Sequence, residues 1–224
     1  VGEHLMSKAK IGQTDSAYQA IKTMILKSQL TPGSFISEAE LQGRLQFGRT
    51  PTREALIRLS CENLVNIHPR KGIEINHISP RRLYDIYEIR QLVEPAFLRE
   101  NFESIDADEL SNYKSRFLES SRMLKTGGVD AVYDATMVDA DFHTFLMRPA
   151  GNQQYVDMMY KAFDYLTMVR VNVFFNRARF SDGITEHGEL LDAIASHDVE
   201  SSIRLLQIHL QKSYFSIMRD LSFV

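Results

Sequence analysis

The sequence predicts a mainly α protein in two parts: three short helices closed by a β-hairpin, then an antiparallel bundle of long helices. Three observations carry this. Apolar residues recur at helical spacing through most of the 224 residues. β-branched residues stand on both sides of a Lys71-Gly72 turn in "LVNIHPRKGIEINHI", and strand alternation is not convincing beyond Pro80. Breakers then divide the remainder, with "TGG" at 126–128, "RPAGN" at 148–152 and "SDG" at 181–183. A chain with 44% hydrophobic and 25% charged residues has the means for a sizeable core, which excludes bulk disorder.

From Asp15, the positions Ala17, Ile21, Ile25 and Leu26 define a first helix, with Thr14 or Asp15 as its cap. Pro32-Gly33 in "LTPGSFI" ends it. Ser37 followed by Glu40 is a capping-box pattern and opens a second helix reaching Leu45. The third helix runs from about Thr50 to Asn63, with Pro51 in the first turn, where its missing N–H is not needed. With the hairpin and its basic tip, this is the outline of a winged helix-turn-helix over residues 14–77. Residues 1–13 read as a tag remnant or disordered N-terminus, and "HISPRR" at 77–82 as a junction. Residues 78–224 then supply amphipathic segments at Arg82–Phe102, Asp106–Leu124, Asp130–Leu146, Gln153–Phe175, Gly183–Ala195 and Val199–Met218, the pattern of an all-α antiparallel bundle. The aromatics Phe142, Phe145, Phe163, Phe174 and Phe175 are expected in its core.

Charge is unevenly spread. Residues 1–80 carry ten Lys/Arg against seven Asp/Glu, and residues 81–224 carry sixteen against twenty-two. A basic head on an acidic body suits a head that meets a polyanion. The absence of a long apolar run or signal pattern, together with a single cysteine, Cys61, leads to the expectation of a soluble cytoplasmic protein with no membrane partner.

A helix-turn-helix sets the first residues of its second helix against base edges in the major groove. "FGRTPTREALIRL" offers Arg49, Thr50, Thr52 and Arg53 at that entrance, with Ala55, Leu56 and Leu59 for the packed face. Arginine can bind guanine O6 and N7 through two hydrogen bonds. At the hairpin tip, Arg70, Lys71 and Gly72 suit an adjacent groove or the phosphate backbone. The blocks "LTPGSFISEAEL", "RTPTREAL" and "LVNIHPRKG", in this order and spacing, resemble the N-terminal domain of the GntR family of bacterial transcription regulators. The resemblance implies double-stranded DNA as partner, a palindromic operator and a homodimer. "LQGRLQFGR" departs from the family pattern, so Gly48 stands where a serine would cap the recognition helix. Glycine is only a few tenths of a kcal/mol worse than serine there.

In the body, "VDADFHTFL" puts Asp139 and His143 at i, i+4 on one helical face. His187 and His209 lie on two later segments. Carboxylate and imidazole together suit a divalent ion such as Zn²⁺, Ni²⁺ or Mn²⁺. "LYDIYEIRQLVEP", "DADFH", "PAGN", "EHGELLDAI" and "HL" resemble, in order, the marks of the FCD domain of FadR-like GntR regulators. That resemblance implies a metal, zinc foremost, held by Asp139, His143, His187 and His209. It also implies a small carboxylate effector paired with Arg90. His197 stands where the family has glycine and is not counted as a ligand. Read without the family, Arg90 forms an ordinary helix pair with Glu94 or Glu88. Arg170, Asn172 and Asn176 share a helix that could line the same cavity. The functional expectation is a transcription regulator and not an enzyme. Its alternatives are a metal-dependent hydrolase with Glu186 or Glu189 as general base, and a regulator whose metal is structural.

Overall fold

A computed structural model of the chain describes residues 12–148, 152–173 and 177–221. They fall into two compact units that divide after His77, and each is taken by itself.

The first unit runs α1 (Gln13–Leu26), β1 (Phe35–Ile36), α2 (Glu38–Leu45), α3 (Arg49–Cys61), β2 (Val65–His68) and β3 (Gly72–Ile75). Ser37 caps α2 by accepting the Glu40 N–H at 3.1 Å. The Glu40 side chain goes to Arg44 at 2.6 Å, so only the serine half of the capping box is made with side chains of the expected pair. α3 starts from an extended Gly48 that offers no side-chain cap. β2 and β3 pair antiparallel with Val65 opposite Ile75 and Ile67 opposite Ile73. Their turn is Pro69-Arg70-Lys71, closed by the Lys71 N–H donating to the His68 carbonyl at 3.1 Å, and Gly72 belongs to the strand. β1, absent from the sequence expectation, adds to the free edge of β3 to give the order β1-β3-β2. Two residues are too few for an alternation to register. Ile36 opposite Ile73 extends the apolar row of the sheet, and Ile21, Ile25, Leu41, Leu56 and Leu59 of the same unit are nearly or fully buried.

Gly72 is the position where this sheet demands glycine. Its φ is +107°, and a Cβ would come within 2.9 Å of the Ile36 carbonyl oxygen. Gly72→Ala is therefore expected to destabilise the first unit by about 1–3 kcal/mol. Denaturant unfolding followed by circular dichroism reads this; an unchanged midpoint would mean that the β1-β3 approach is not close.

The second unit contains α4 (Pro80–Asn101), a 3₁₀ turn at Phe102–Ser104, α5 (Ala107–Thr126), α6 (Val129–Met147), α7 (Gln153–Asn172), α8 (Arg177–Ala195) and α9 (Val199–Leu221). Side-chain oxygens of Ser79, Asp106 and Asn152 cap α4, α5 and α7. "SDG" at 181–183, expected to separate helices, lies inside α8. A glycine in a helix costs about 1 kcal/mol, and here Ile184 packs on the core beside it. His197 joins α8 to α9 at φ +56°, the left-handed conformation that favours glycine. The core gathers Phe117, Phe142, Phe145, Leu190, Leu206 and Leu210 from four helices, and Phe163 is buried as well. Phe174, Phe175, Asn176 and most of the "PAGN" block lie outside the described residues. No helix among the described residues is long and apolar enough to cross a membrane.

Candidate nucleic-acid interface and metal centre

In the first unit, Arg49 and Thr50 open α3 and are exposed. Arg53, one turn on, is also exposed and lies 3.7 Å from Glu38. Arg70 and Lys71 are exposed at the hairpin turn, with Arg70 at φ +67°. Thr52 corrects the expectation. It is 2% exposed, and its hydroxyl donates to the Gly48 carbonyl at 2.9 Å. The residue sits on the packed side of α3 and is not available to a base. Gly72 likewise serves the backbone. Arg58, further along α3, is bound to Asp15 at 2.6 Å and covers the Tyr18 ring, so it fastens α3 to α1.

In the second unit, helical spacing sets Asp139 and His143 on one face of α6, and packing brings His187 from α8 and His209 from α9 against them. One donor atom from each of the four lies within 4.8 Å of the others, and all four residues are buried. His187 Nε2 is 3.3 Å from His143 Nε2 and 3.5 Å from Asp139 Oδ1. The other ring nitrogens fix the tautomers. His143 Nδ1 meets Glu94 at 2.7 Å, and His209 Nδ1 meets Glu186 at 2.8 Å. An ionised carboxylate accepts only, so each of these Nδ1 atoms carries a proton, which in a neutral ring leaves the Nε2 lone pair free for a metal. The His209 Nε2 has no hydrogen-bond partner among the described residues.

The electrostatics agree with neutral His187 and His209 and with charged carboxylates. Burial, together with the neighbouring His209, holds His187 well below the usual histidine range. Burial also lowers His209, to about 4, although Glu186 pulls the other way. For Glu94 burial acts upward, but Arg90 and His143 outweigh it and leave the carboxyl at about 2. Glu186 is held at about 2 against its burial by His209 and Arg179. Asp139, also opposed by burial, is carried well below its ordinary value by Arg170 and the three histidines. Neutral imidazole and ionised carboxylate are the forms that bind a metal. A carboxylate hydrogen-bonded to the far nitrogen of a ligating histidine is the usual outer support of such sites. The donor set and the unpartnered His209 nitrogen fit a divalent ion of the zinc, nickel or manganese kind.

A cavity of about 70 Å³ opens against this cluster, with Asp139, Arg170, His187 and His209 on its inner wall. Arg170, from α7, donates to Asp139 at 2.5 Å and is 9% exposed. Sequence reasoning had Arg170 only as an unoriented candidate, because helical periodicity does not fix the rotation of α7 about its axis. Arg90 is placed differently from expectation. It does not line this cavity; its Nε donates to Glu94 at 2.5 Å, which puts it behind His143. The ordinary helix pair is thus present, but in a fully buried form, and Arg90 Nη1 and Nη2 have no partner among the described residues. Glu186 is gripped by Arg179 through two contacts of 2.9 Å and approached by Lys212 at 3.2 Å. A carboxyl held at about 2 is a poor general base near neutrality, and Glu189 is exposed. The pairing of Glu186 with Arg179 and Lys212 does not favour the hydrolase alternative.

Comparison with known proteins places these two units. The profile described as "Bacterial regulatory proteins, gntR family" matches residues 13–75, and the FCD domain profile matches residues 85–212. The chain is 26% identical over 202 residues to an HTH-type transcriptional regulator from an unstable DNA locus of Streptomyces ambofaciens, covering 90% of this chain and 84% of the relative. It is 24% identical over 195 residues to the HTH-type transcriptional repressor RspR of Escherichia coli strain K12, covering 87% and 84%. Among solved structures, E. coli McbR/YncC superposes with a TM-score of 0.80 at 18% identity, covering 94% of this chain and 99% of that one. That last likeness concerns the fold.

Proposed function

The chain belongs to the GntR family of bacterial regulatory proteins, with an FCD domain after its helix-turn-helix domain, and from that premise we propose how this DNA-binding transcription regulator is controlled: a small carboxylate, bound beside a metal in the α-helical unit, sets its affinity for operator DNA. The observation that carries this reading is the cavity that opens directly onto Asp139, His187 and His209, with Arg170 in its wall.

The residues divide the work. Arg49, Thr50 and Arg53 meet base edges and phosphates at the front of α3, and Arg70 and Lys71 meet the adjacent backbone. A homodimer presents two such helices to the halves of a palindromic operator about one turn of DNA apart. Asp139, His143, His187 and His209 would hold the metal, with zinc the leading candidate, and the bound ion supplies Lewis-acid coordination to an effector carboxylate. Glu94 and Glu186 aim the Nε2 atoms of His143 and His209. Arg90 anchors Glu94, so its effect on the effector passes through His143. Arg170 keeps Asp139 ionised and lines the cavity, where a guanidinium gives a carboxylate a second point of purchase. No catalytic role is assigned to any of them.

An effector shifts the equilibrium only if it binds the DNA-competent and incompetent forms unequally. The test is operator binding by zinc-loaded protein, using its own upstream DNA, with a panel of small carboxylates added in turn. At least one acid is expected to change operator affinity by roughly 5–150-fold, and chelation of the metal is expected to abolish that change. If operator affinity ignores every acid while zinc stays bound, the metal is structural and carboxylate control is wrong.

A further inference from the structure

The same cavity narrows the class of acid, and this inference rests on the carboxylate-sensing reading above. Beyond the ligand cluster its wall turns apolar, with Phe117, Ala135, Val173, Phe180, Ile184 and Ile217. Phe117 lies flat on the His187 ring, 4.4 Å between centroids and 14° between planes, so the apolar wall begins directly at the cluster. The charged groups on the wall are already matched. Arg170 is committed to Asp139, Arg179 to Glu186, and Asp220 has Arg219 beside it at 3.3 Å. A bound divalent ion together with Arg170 and Asp139 leaves an excess of positive charge at the inner end alone. A second carboxylate further out would meet apolar side chains and Asp220, and the described cations of the wall, Arg170 and Arg179, already face Asp139 and Glu186; burying an unpaired charge is strongly unfavourable.

We propose that the cavity is built for a compact monocarboxylate with a branched apolar body, its carboxylate turned inward to Arg170 and the ligand cluster and its hydrocarbon among Phe117, Ile184 and Ile217. About 70 Å³ accommodates roughly five to seven water-sized atoms, which is the size of a short branched acid. Ser216 also lines the cavity, and its buried Oγ has no hydrogen-bond partner among the described residues. A hydroxyl on the far end of the acid gains one hydrogen bond there. A dicarboxylate whose second carboxylate reaches beyond the inner end is disfavoured by charge.

The test is titration calorimetry on the zinc-loaded full chain with three probes of similar size. These are 3-methylbutanoate, malonate with the same number of non-hydrogen atoms but two carboxylates, and the uncharged 3-methylbutanamide. The monocarboxylate is expected to bind at least about tenfold more tightly than either of the others. Ala135→Leu, which fills the cavity, is expected to weaken 3-methylbutanoate by at least about tenfold with zinc stoichiometry unchanged. Ile184→Ser, on a half-buried wall position, serves as the second variant should the leucine disturb folding, and is expected to weaken it about threefold or more. Tighter binding of malonate than of 3-methylbutanoate overturns the monocarboxylate assignment and leaves carboxylate sensing standing. Equal binding of the amide and the acid, or no heat from either acid with zinc bound, overturns both.

Discussion

Asp139→Ala is expected to lower the unfolding free energy of the metal-free helical unit by about 3–5 kcal/mol, which for a unit of this size is a fall in melting temperature of roughly 2–4 °C per kcal/mol. The cause is what the substitution leaves behind. Arg170 is 9% exposed and spends its charge on Asp139, itself 8% exposed. Removing the carboxylate leaves a guanidinium out of water with no counter-ion, and its desolvation cost is then unopposed. The pair's net worth is much smaller than this, because a buried ion pair spends most of its attraction offsetting desolvation. The double variant Asp139→Ala/Arg170→Met should therefore recover most of the loss, with a coupling energy of about 3 kcal/mol or more in the cycle. Thermal melts of the four proteins in chelator measure it. If Asp139→Ala alone costs under about 1 kcal/mol, the two side chains are in water and the burial described for them is wrong. The single variant should also lose zinc binding, since it removes the one carboxylate among the four donors.

Arg49→Ala and Arg53→Ala are expected to weaken operator binding by about 1–3 kcal/mol each, roughly 5–150-fold, if each arginine grips a guanine through two hydrogen bonds. Stability should barely change. Arg53 pairs with Glu38 across 3.7 Å, at 62% side-chain exposure, and such surface pairs contribute about 0–1 kcal/mol. Specificity should relax with affinity at the contacted base pairs, whereas loss of a phosphate contact at Lys71 would weaken all sequences alike. Thr52→Ala gives the opposite pattern. It deletes a part-buried hydrogen bond to the Gly48 carbonyl, so stability drops by about 1 kcal/mol while base preference is retained. Competition gel shifts with operator variants, at two salt concentrations, separate these outcomes. Arginine variants that match the parent on every sequence would remove α3 from the role of recognition helix.

Much of the scaffold was legible in local sequence. Pro51, the apolar set Ala55, Leu56 and Leu59, and the cap at Ser37 are rules of one or two helical turns, and the helices they announce are present. Asp139 and His143 share a face of α6 by spacing alone. Other features were illegible for definite reasons. β1 is two residues long, so no period exists to detect. Gly183 reads as a breaker because the cost of a helical glycine is local and visible, while the packing of Ile184 that offsets it is not. Thr52 looked like a base contact because a hydroxyl at the helix entrance suits one. Only the fold reveals that its hydroxyl turns back to Gly48.

By itself, then, the sequence determined the order of the helices, the identity of the donor types and the face that two of them share, since all three follow from periodicity and short-range sterics. The tertiary structure decided the rest. It brought His187 and His209 to His143 across 44 and 66 residues of chain, turned the Nε2 atoms of His143 and His209 inward through Glu94 and Glu186, and put Arg170 on the cavity wall and Arg90 behind it. Spacing within a helix fixes which side chains point together, but the rotation of one helix against another is set by the packing of the whole core, which no single segment contains.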